Sequence, residues 1–574
     1  MDFQKLADLY EELEQTSSGN KMREILAEFL KTVPKEEIAM ISYLTLGKIA
    51  SDYDDVVLGM AEKSVLKAIS VAGGMDSSKV NKIMQESGDV GLTAEKVLQK
   101  KPQTLVPLGK LTVKELFEKL HKLAESSGEG SQDLRSNVLA AILQKSSSKA
   151  AKYLTRIVLG TLRMGVGDMT VLDALALAYT GDKSNKEALE QAYNICPDLG
   201  IIAETLVNKG MKGIEKIDIH VGRPIKMMLA QRVSALDEVP EKIPGEWTIE
   251  AKYDGERVQA HKNKKGKIIL FSRRLDNITE QFPDLVEYLE KSIPEKEFVI
   301  EGEVIAVDEK GHPLPFQTLM QRRRKYDVEE YAQKIPVQLK TFDLLYLNGE
   351  SYLHRSYVER TEKLAKILHK NKEIVLTERT ITDDVEEINS FFREMLKAGY
   401  EGVIIKSRAA DSVYQAGTRG WNWIKWKKEY AQEMIDTLDL VIVGAFHGKG
   451  KRAGTYGALL CATYNSKEDV FETVCKLGTG LTDQVLAEIP KKLKKYELKN
   501  KPARLNVRKE MEPDVWFEPA IVVEVLSAEI TKSPYHTCAS GLALRFPRFL
   551  QFRENKKAEQ ATTSKEVAQM YEKK

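Results

Sequence analysis

Cysteine and long apolar runs are both scarce in this sequence. The 574 residues include only 4 cysteines, which are Cys196, Cys461, Cys475 and Cys538 and form no C-x-x-C pair. That spacing argues against a disulfide framework and against a zinc finger, and it is typical of a reducing compartment. No apolar run approaches about 18 residues, and the first residues form an acidic amphipathic pattern. We therefore expect an intracellular, cytoplasmic protein with no membrane segment.

An excess of charge of one sign is also missing. Lys and Arg number 87 against 85 Asp and Glu, a net charge of +2, so the overall charge does not indicate a polyanionic partner. Any nucleic-acid footprint must be local, in basic clusters such as 262–267, 321–326, 425–428 and 491–495. The chain also lacks a G-x-x-x-x-G-K-[ST] loop, which excludes a nucleotide site of the P-loop type.

The pattern of residues changes twice along the chain. At 574 residues the chain exceeds what one hydrophobic core supports, so several domains are expected. Residues 1–217 carry Leu, Ala, Lys and Glu at helical spacing, which predicts an all-α domain. Residues 218–429 alternate short β-like runs with helical segments, and residues 430–574 consist of short strands separated by glycine turns. These patterns predict an α+β domain followed by a small β-barrel.

The stretch EAKYDGERVQAHK (250–262) places one lysine in an unusual setting. In a strand over WTIEAKY, Glu250 and Lys252 share a polar face, because side chains alternate between the two faces. Asp254-Gly255 then predicts a turn, and a hairpin to the alternating segment that contains Arg257. Taken alone, the pattern fits a solvated hairpin as well as a cationic pocket wall.

Further charged residues interrupt apolar strands downstream. Glu301 and Glu303 lie in EFVIEGEVIAVD, and a buried carboxylate is costly unless it meets a cation or hydrogen-bond donors. A structural ion pair accounts for one of these glutamates more easily than for two. Farther on, Glu401 and Lys406 bracket an apolar strand, and Trp423, Lys425 and Lys427 share one face of another.

This combination of residues suits nucleotidyl transfer. Neighbouring cations lower the pKa of a lysine towards the neutral amine that is the nucleophile. The carboxylates are suited to hold Mg²⁺, which neutralises a triphosphate.

Five segments in order, KYDGER, FSRR, EGE, EGVIIK and WIKWKK, resemble the nucleotidyltransferase motifs of ATP-dependent DNA ligases, in particular the archaeal replicative type. The resemblance extends along nearly the whole chain. It implies a multidomain α and α/β protein with an all-α N-terminal DNA-binding domain, an α+β nucleotidyltransferase (ATP-grasp-like) catalytic domain and a C-terminal OB-fold β-barrel. The implied activity is ATP-dependent sealing of nicks in double-stranded DNA during replication, repair and recombination, and during cell division.

The same resemblance implies roles for individual residues. Lys252 forms the AMP-lysine bond and Glu250 helps to recognise adenine, on which Phe342 stacks. The nucleotide's ribose and phosphates are contacted by Arg257, Arg273, Glu303, Lys406, Arg419, Lys425 and Lys427. The metal-linked carboxylates are Glu303 and Glu401. In the final motif Arg553 and Lys556 orient pyrophosphate, although Asn555 stands where the family carries Asp.

The same resemblance implies that the helical part, residues 1–217, binds DNA. The segment 156–178 is similar to the family's DNA-binding signature, which implies phosphate contacts from Arg163, Gly165, Gly167 and Thr170. We expect Asp168 or Thr170 to cap the helix that follows. From the local pattern alone, an ordinary helix–turn–helix corner explains this segment equally well.

The resemblance implies ATP and Mg²⁺ as cofactors, with Mn²⁺ as an alternative, and nicked double-stranded DNA as the partner of a monomer. Recruitment by a sliding clamp stays open, because QKLADLY (4–10) fits an amphipathic helix better than a clamp-binding peptide. Two other functions stay open. One is an RNA ligase or mRNA-capping type of nucleotidyltransferase, which shares K-x-D-G, and the other is a non-catalytic clamp on nicked DNA. The scattered cysteines argue against the NAD-dependent ligases, which carry zinc sites.

Overall fold

The computed structural model describes residues 1–54, 56–99, 109–126, 131–162, 164–323, 327–369, 371–427, 437–448, 455–527 and 529–572. The chain divides into two compact units, Met1–Lys428 and Glu429–Lys574. The larger unit contains both the helical part and the mixed part, so the division at residues 217 and 218 stays a prediction. Within the described residues, no helix is both long and apolar enough to cross a membrane.

The first part of the larger unit is helical, as its periodicity predicts. Asp2, Ser18, Asp89 and Thr112 each accept a hydrogen bond from a backbone N–H of the helix that follows, which fixes where these helices begin. The apolar faces of the helices meet in one core. The helices are α1 (Phe3–Glu14), α2 (Gly19–Lys31), α3 (Ile38–Thr45), α4 (Glu62–Gly73), α5 (Ser77–Ser87), α6 (Val90–Leu98), α7 (Val113–Glu125), α8 (Ser131–Lys145), α9 (Ser148–Val158), α10 (Asp168–Thr180), α11 (Lys186–Ile195) and α12 (Leu199–Ile214).

The segment QKLADLY lies within α1. Leu6, Leu9 and Tyr10 are all buried in the helical core. The segment is therefore a packed amphipathic helix, and its apolar side chains are not available to a clamp in this conformation.

The second part of the larger unit contains two sheets. The first sheet has the strand order β1-β11-β10-β2-β9, and the second has the order β4-β3-β5-β6-β7 with β8 beside β6. The strands are β1 (Leu229–Arg232), β2 (Trp247–Lys252), β3 (Glu256–Lys262), β4 (Ile268–Ser272), β5 (Phe298–Ala306), β6 (Val337–Leu347), β7 (Glu350–Ser351), β8 (Ile374–Leu376), β9 (Arg379–Thr382), β10 (Gly402–Ser407) and β11 (Arg419–Lys427). The helices are α13 (Val239–Lys242), α14 (Pro283–Ser292), α15 (Phe316–Met320), α16 (Val328–Lys334), α17 (Tyr357–Ile367) and α18 (Val385–Lys397).

The predicted hairpin at Asp254-Gly255 is wrong. β2 pairs with β9 and β10 in the first sheet, whereas β3 pairs with β4 and β5 in the second. The turn therefore carries the chain from one sheet to the other. A glycine is required there, because a Cβ on Gly255 would lie 2.3 Å from the carbonyl oxygen of Val304 and 2.9 Å from Cγ of Glu303.

The smaller unit is rich in strands and OB-like, as the glycine-separated strands predict. Most strands form one sheet, ordered β15-β17-β12-β13-β14-β16, in which β18 pairs with β12 and β21; β19 and β20 pair with each other. The elements are β12 (Leu438–His447), β13 (Tyr456–Asn465), β14 (Val470–Leu477), α19 (Asp483–Leu493), β15 (Glu497–Leu498), β16 (Leu505–Asn506), β17 (Val515–Phe517), β18 (Val522–Leu526), β19 (Glu529–Lys532), β20 (Leu542–Arg545), β21 (Arg548–Phe552) and α20 (Ser564–Glu572).

Candidate active site

One face of the first sheet collects the charged residues of three strands. Gly402 of β10 lies opposite both Lys252 of β2 and Lys427 of β11, and Ile404 lies opposite Glu250 and Lys425. Directly paired residues of antiparallel strands project from the same face. Glu250, Lys252, Lys425 and Lys427 therefore share a face, as the alternation in each strand predicts.

Lys252 lies at the end of β2, where its amine is held by a carboxylate. Its Nζ is 2.5 Å from Oε2 of Glu401, and the amine of Lys427 pairs with the other oxygen of the same carboxylate. The backbone N–H of Glu401 also donates to the carbonyl of Lys252, at 2.9 Å. The side chain of Lys252 remains 22% exposed, so this end of β2 is accessible to solvent.

Glu250 is buried and has a partner at each carboxylate oxygen. Lys406 Nζ lies 2.6 Å from Oε2, and the hydroxyl of Tyr357 donates to Oε1. The Lys406 ammonium is also enclosed by aromatic rings, with ring centres at 4.2 Å for Trp423, 4.7 Å for Phe342 and 4.9 Å for Tyr357. Burial lowers the pKa of Lys406. Lys406 thus belongs to the Glu250 end of the site rather than to its exposed cations.

Arg257 and Glu301 form a buried ion pair on the second sheet. Arg257 donates to Glu301 Oε2 and to the carbonyl of Met228, both at 2.6 Å. Glu301 is fully buried, and it also accepts hydrogen bonds from Gln259 and Tyr414, each at 3.0 Å. The Glu301 carboxylate is therefore satisfied by structural partners, as expected for one of the two glutamates of this strand.

Glu303 has the opposite environment. Burial raises the pKa of its carboxyl to about 7; the charges of Lys252 and Arg257 lower it, and those of Glu256 and Asp254 raise it. Glu303 lies directly opposite Arg257 in the β3–β5 pairing, and it interacts electrostatically with Lys252 of the first sheet.

A cluster of cations surrounds Lys425. Burial lowers the pKa of the Lys425 amine, and the positive charges of Arg419, Lys252, Arg273 and Arg232 lower it further. Arg419 begins β11, and Arg273 lies just beyond the end of β4; both are exposed. Such a group of cations is suited to bind an anion with several charges.

The two predicted metal ligands fit a hard cation. Glu401 lies 2.5 Å from the Lys252 amine and Glu303 interacts with it electrostatically, and Mg²⁺ is commonly held by one or two carboxylates together with substrate phosphates. Over the described ranges, no group of three or more His, Cys, Asp or Glu is arranged to hold a metal ion alone.

The predicted DNA-binding loop precedes α10. Arg163 lies outside the described residues. Gly165 has a positive φ of 76°, which explains the glycine. The predicted cap is wrong: Gly167 is the N-cap of α10, with no side-chain hydrogen bond, and Asp168 and Thr170 lie inside the helix. The backbone N–H of Thr170 donates to the carbonyl of Gly167 at 2.9 Å.

The last two predicted residues lie in the smaller unit, where both are in ion pairs. Arg553 lies 3.3 Å from Glu524 and 3.7 Å from Asp439, and the Lys556 amine pairs with Asp439. These carboxylates hold both cations within one cluster of that unit.

Sequence reasoning missed two residues of the site. Tyr357 contacts Glu250 from the start of α17, 107 positions away, and nothing in the helical pattern of that segment distinguishes it. Arg232 lies directly opposite Lys425 in the parallel pairing of β1 with β11. The segment HVGRPIKMMLAQR holds Arg232 next to an apolar run, which was the available signal.

Comparisons with known proteins agree along the whole chain. Three family models match, described as "DNA ligase N terminus" over residues 2–176, "ATP dependent DNA ligase domain" over 227–427 and "ATP dependent DNA ligase C terminal region" over 452–556. The chain is 46% identical over 588 residues to "DNA ligase 2" of Thermofilum pendens, covering 100% of this chain and 97% of that protein. It is 43% identical over 589 residues to "DNA ligase" of Saccharolobus shibatae, covering 100% and 98%. A solved structure named "Pmar-Lig_Pre." shares the fold, with a TM-score of 0.55 at 18% identity over 96% of this chain and 99% of that one.

Proposed function

Since this chain belongs to the family of ATP-dependent DNA ligases, we propose that it seals nicks in double-stranded DNA through an AMP group carried on Lys252. The main support for this proposal is the set of charged groups around the Lys252 amine. The amine lies 2.5 Å from Glu401 on a side chain that is 22% exposed, and it interacts electrostatically with Glu303 and with Lys425.

The first step is attack by Lys252 on the α-phosphate of ATP. Glu401 holds the amine in place, and the attacking form is the neutral amine. Loss of the proton frees Glu401 from this salt bridge. Lys425, Arg419 and Arg273 bind the phosphates as pyrophosphate leaves, so their main contribution is charge stabilisation.

Glu250 and Phe342 hold the other end of the nucleotide. The Glu250 carboxylate accepts a hydrogen bond from the purine, and the ring of Phe342 packs against the base. Arg257 is fixed by Glu301 and Met228, and its guanidinium lies 5.3 Å from the centre of the Phe342 ring. That geometry lets Arg257 contact the ribose or α-phosphate without leaving its ion pair.

Mg²⁺ is the metal we propose, with Glu303 and Glu401 as its protein ligands and Mn²⁺ as a substitute. When bound, it neutralises triphosphate charge and stabilises the departing pyrophosphate.

Two further transfers complete the reaction. AMP passes from Lys252 to the 5′-phosphate of the nick, and the 3′-hydroxyl then displaces AMP and closes the strand. The loop that carries Gly165 and Gly167 offers backbone N–H groups to the DNA phosphates, which gives binding without sequence preference. Arg553 and Lys556 of the smaller unit orient pyrophosphate in the first transfer.

The wider assignment follows from that substrate. We propose three domains, 1–217, 218–429 and 430–574, acting as a monomer on nicked DNA in the cytoplasm, in replication, repair and recombination. Nicks occur at any sequence in these processes, so an enzyme that reads only backbone phosphates suits all of them.

Sealing of a nicked duplex tests the proposal. With ATP and Mg²⁺, the wild-type protein is expected to join a 5′-phosphate to a 3′-hydroxyl across a nick in DNA, and to do so poorly when both strands are RNA. Lys252→Ala is expected to bind the nick without sealing it. Lys264→Ala is the matched control, because Lys264 is an exposed lysine of the β3–β4 loop, and it should seal at the wild-type rate. Sealing by Lys252→Ala at that rate would refute the proposal.

A further inference from the structure

Tyr357 makes a contact that the proposed reaction does not use. It is the first residue of α17, it is 1% exposed, and its hydroxyl donates to Oε1 of Glu250. Lys406 occupies Oε2 at 2.6 Å. The phenol hydroxyl and the ammonium thus hold the two oxygens of one buried carboxylate.

The local structure fixes Tyr357 firmly. Ser356 caps α17 and forms a capping box with Glu359, in which the N–H of Ser356 donates to the glutamate at 2.8 Å. The backbone N–H of Tyr357 donates to Ser412, with distances of 3.0 Å to its carbonyl and 3.1 Å to its hydroxyl. These bonds set where the helix begins and therefore where the phenol ring lies.

A carboxylate needs such anchoring in order to select a ligand. The terminal torsion of a glutamate is broad, so a single salt bridge leaves the carboxylate plane free to turn. A second donor on the other oxygen fixes the plane and leaves each oxygen a lone pair with which to accept a further hydrogen bond. Because the phenol is neutral, it orients Glu250 without cancelling its charge.

We propose that Tyr357 is a positioning residue for purine selection, which orients Glu250 to accept a hydrogen bond from the exocyclic amine of adenine. The inference rests on the proposed function, since it assumes that Glu250 meets the base of ATP. It assigns the preference for a 6-amino purine to the pair Tyr357 and Glu250, rather than to Glu250 alone.

Two nucleotides test the inference. Transfer of the nucleoside monophosphate to the protein is measured without DNA, once with ATP and once with purine riboside triphosphate, which lacks the 6-amino group. Tyr357→Phe is expected to raise the KM for ATP about tenfold, as for loss of one oriented hydrogen bond to a charged group, and to change the KM for purine riboside triphosphate less than about twofold. A merely structural role would raise both KM values equally, and that result would overturn the inference.

Three controls separate the possible failures. Tyr346→Phe removes a phenol that donates to Glu297 at 3.2 Å on the same sheet as Phe342, and should change neither KM. In a Glu250→Gln background, adding Tyr357→Phe should change the KM for ATP less than about twofold; an independent tenfold effect there contradicts the inference even if the single variant folds poorly. If neither nucleotide labels the wild-type protein, the proposed function itself is refuted.

Discussion

Glu301 and Glu303 lie two residues apart on β5, and changing each to glutamine is expected to have opposite consequences. Glu301 accepts hydrogen bonds from Arg257, Gln259 and Tyr414 in a fully buried setting. Glu303 has a carboxyl whose pKa burial raises to about 7. We expect Glu301→Gln to damage the fold, and Glu303→Gln to damage the chemistry.

The magnitudes follow from burial. Removing one partner of a buried ion pair costs about 3–5 kcal/mol, because the remaining charge, here that of Arg257, is left uncompensated. Changing Glu303 is expected to affect folding stability in the opposite direction. A carboxyl with a raised pKa stabilises the fold while it is protonated, and this contribution is lost as the pH rises through about 7. Glutamine mimics the protonated form, so the stability of Glu303→Gln relative to wild type should rise between pH 5 and pH 8, by up to about 3 kcal/mol.

Urea unfolding followed by tryptophan fluorescence measures both effects. The chain has 5 tryptophans, and Trp247, Trp421, Trp423 and Trp426 lie in the two-sheet part that contains the site, so the signal reports mainly on that part. Adenylation at pH 8 supplies the second readout, and Glu303→Gln is expected to lose at least about 100-fold. Equal stability losses in the two variants, or full activity in Glu303→Gln, would refute this reasoning.

Three other predictions concern different parts of the molecule. Burial lowers the pKa of His261 to about 3, so its neutral form stabilises the fold above pH 6.5 and that contribution is lost as the pH falls towards 3. Urea unfolding at several pH values should show that the free energy of unfolding falls less steeply below pH 6.5 for His261→Gln than for wild type. Equal pH dependence in the two proteins would contradict this prediction. Lys425→Ala should raise the KM for ATP about tenfold, and by less at high salt, because the cations around Lys425 bind the phosphates. An unchanged KM would show that Lys425 does not bind ATP. A chain that ends at residue 429 should lose nick sealing, and a truncated protein that seals at the full rate would show that the smaller unit is dispensable.

Much of the site follows from local alternation. In the strands that carry Glu250 and Lys425, the period of two predicts which residues share a face, and the structure confirms both faces. The pairing of Glu301 with a cation also follows from the cost of burying a carboxylate in an apolar strand. These predictions succeed because each depends on neighbours within a few residues.

Features that depend on residues far apart in the sequence could not be predicted from local patterns. Asp254-Gly255 indicates a turn, but it does not say whether the next strand pairs with β2 or joins another sheet. Lys406 lies near the end of the apolar strand β10, a position typical of an exposed lysine, yet packing places its amine against Glu250. Tyr357 reaches the same carboxylate from a helix whose sequence shows only amphipathic spacing.

Covalent labelling tests the central claim most directly. The protein is incubated with Mg²⁺ and ATP labelled at the α-phosphate, without DNA, then denatured and mapped for bound label. We expect label on Lys252 that is acid-labile and is released by pyrophosphate. Label on a different residue, or none with ATP, would contradict it.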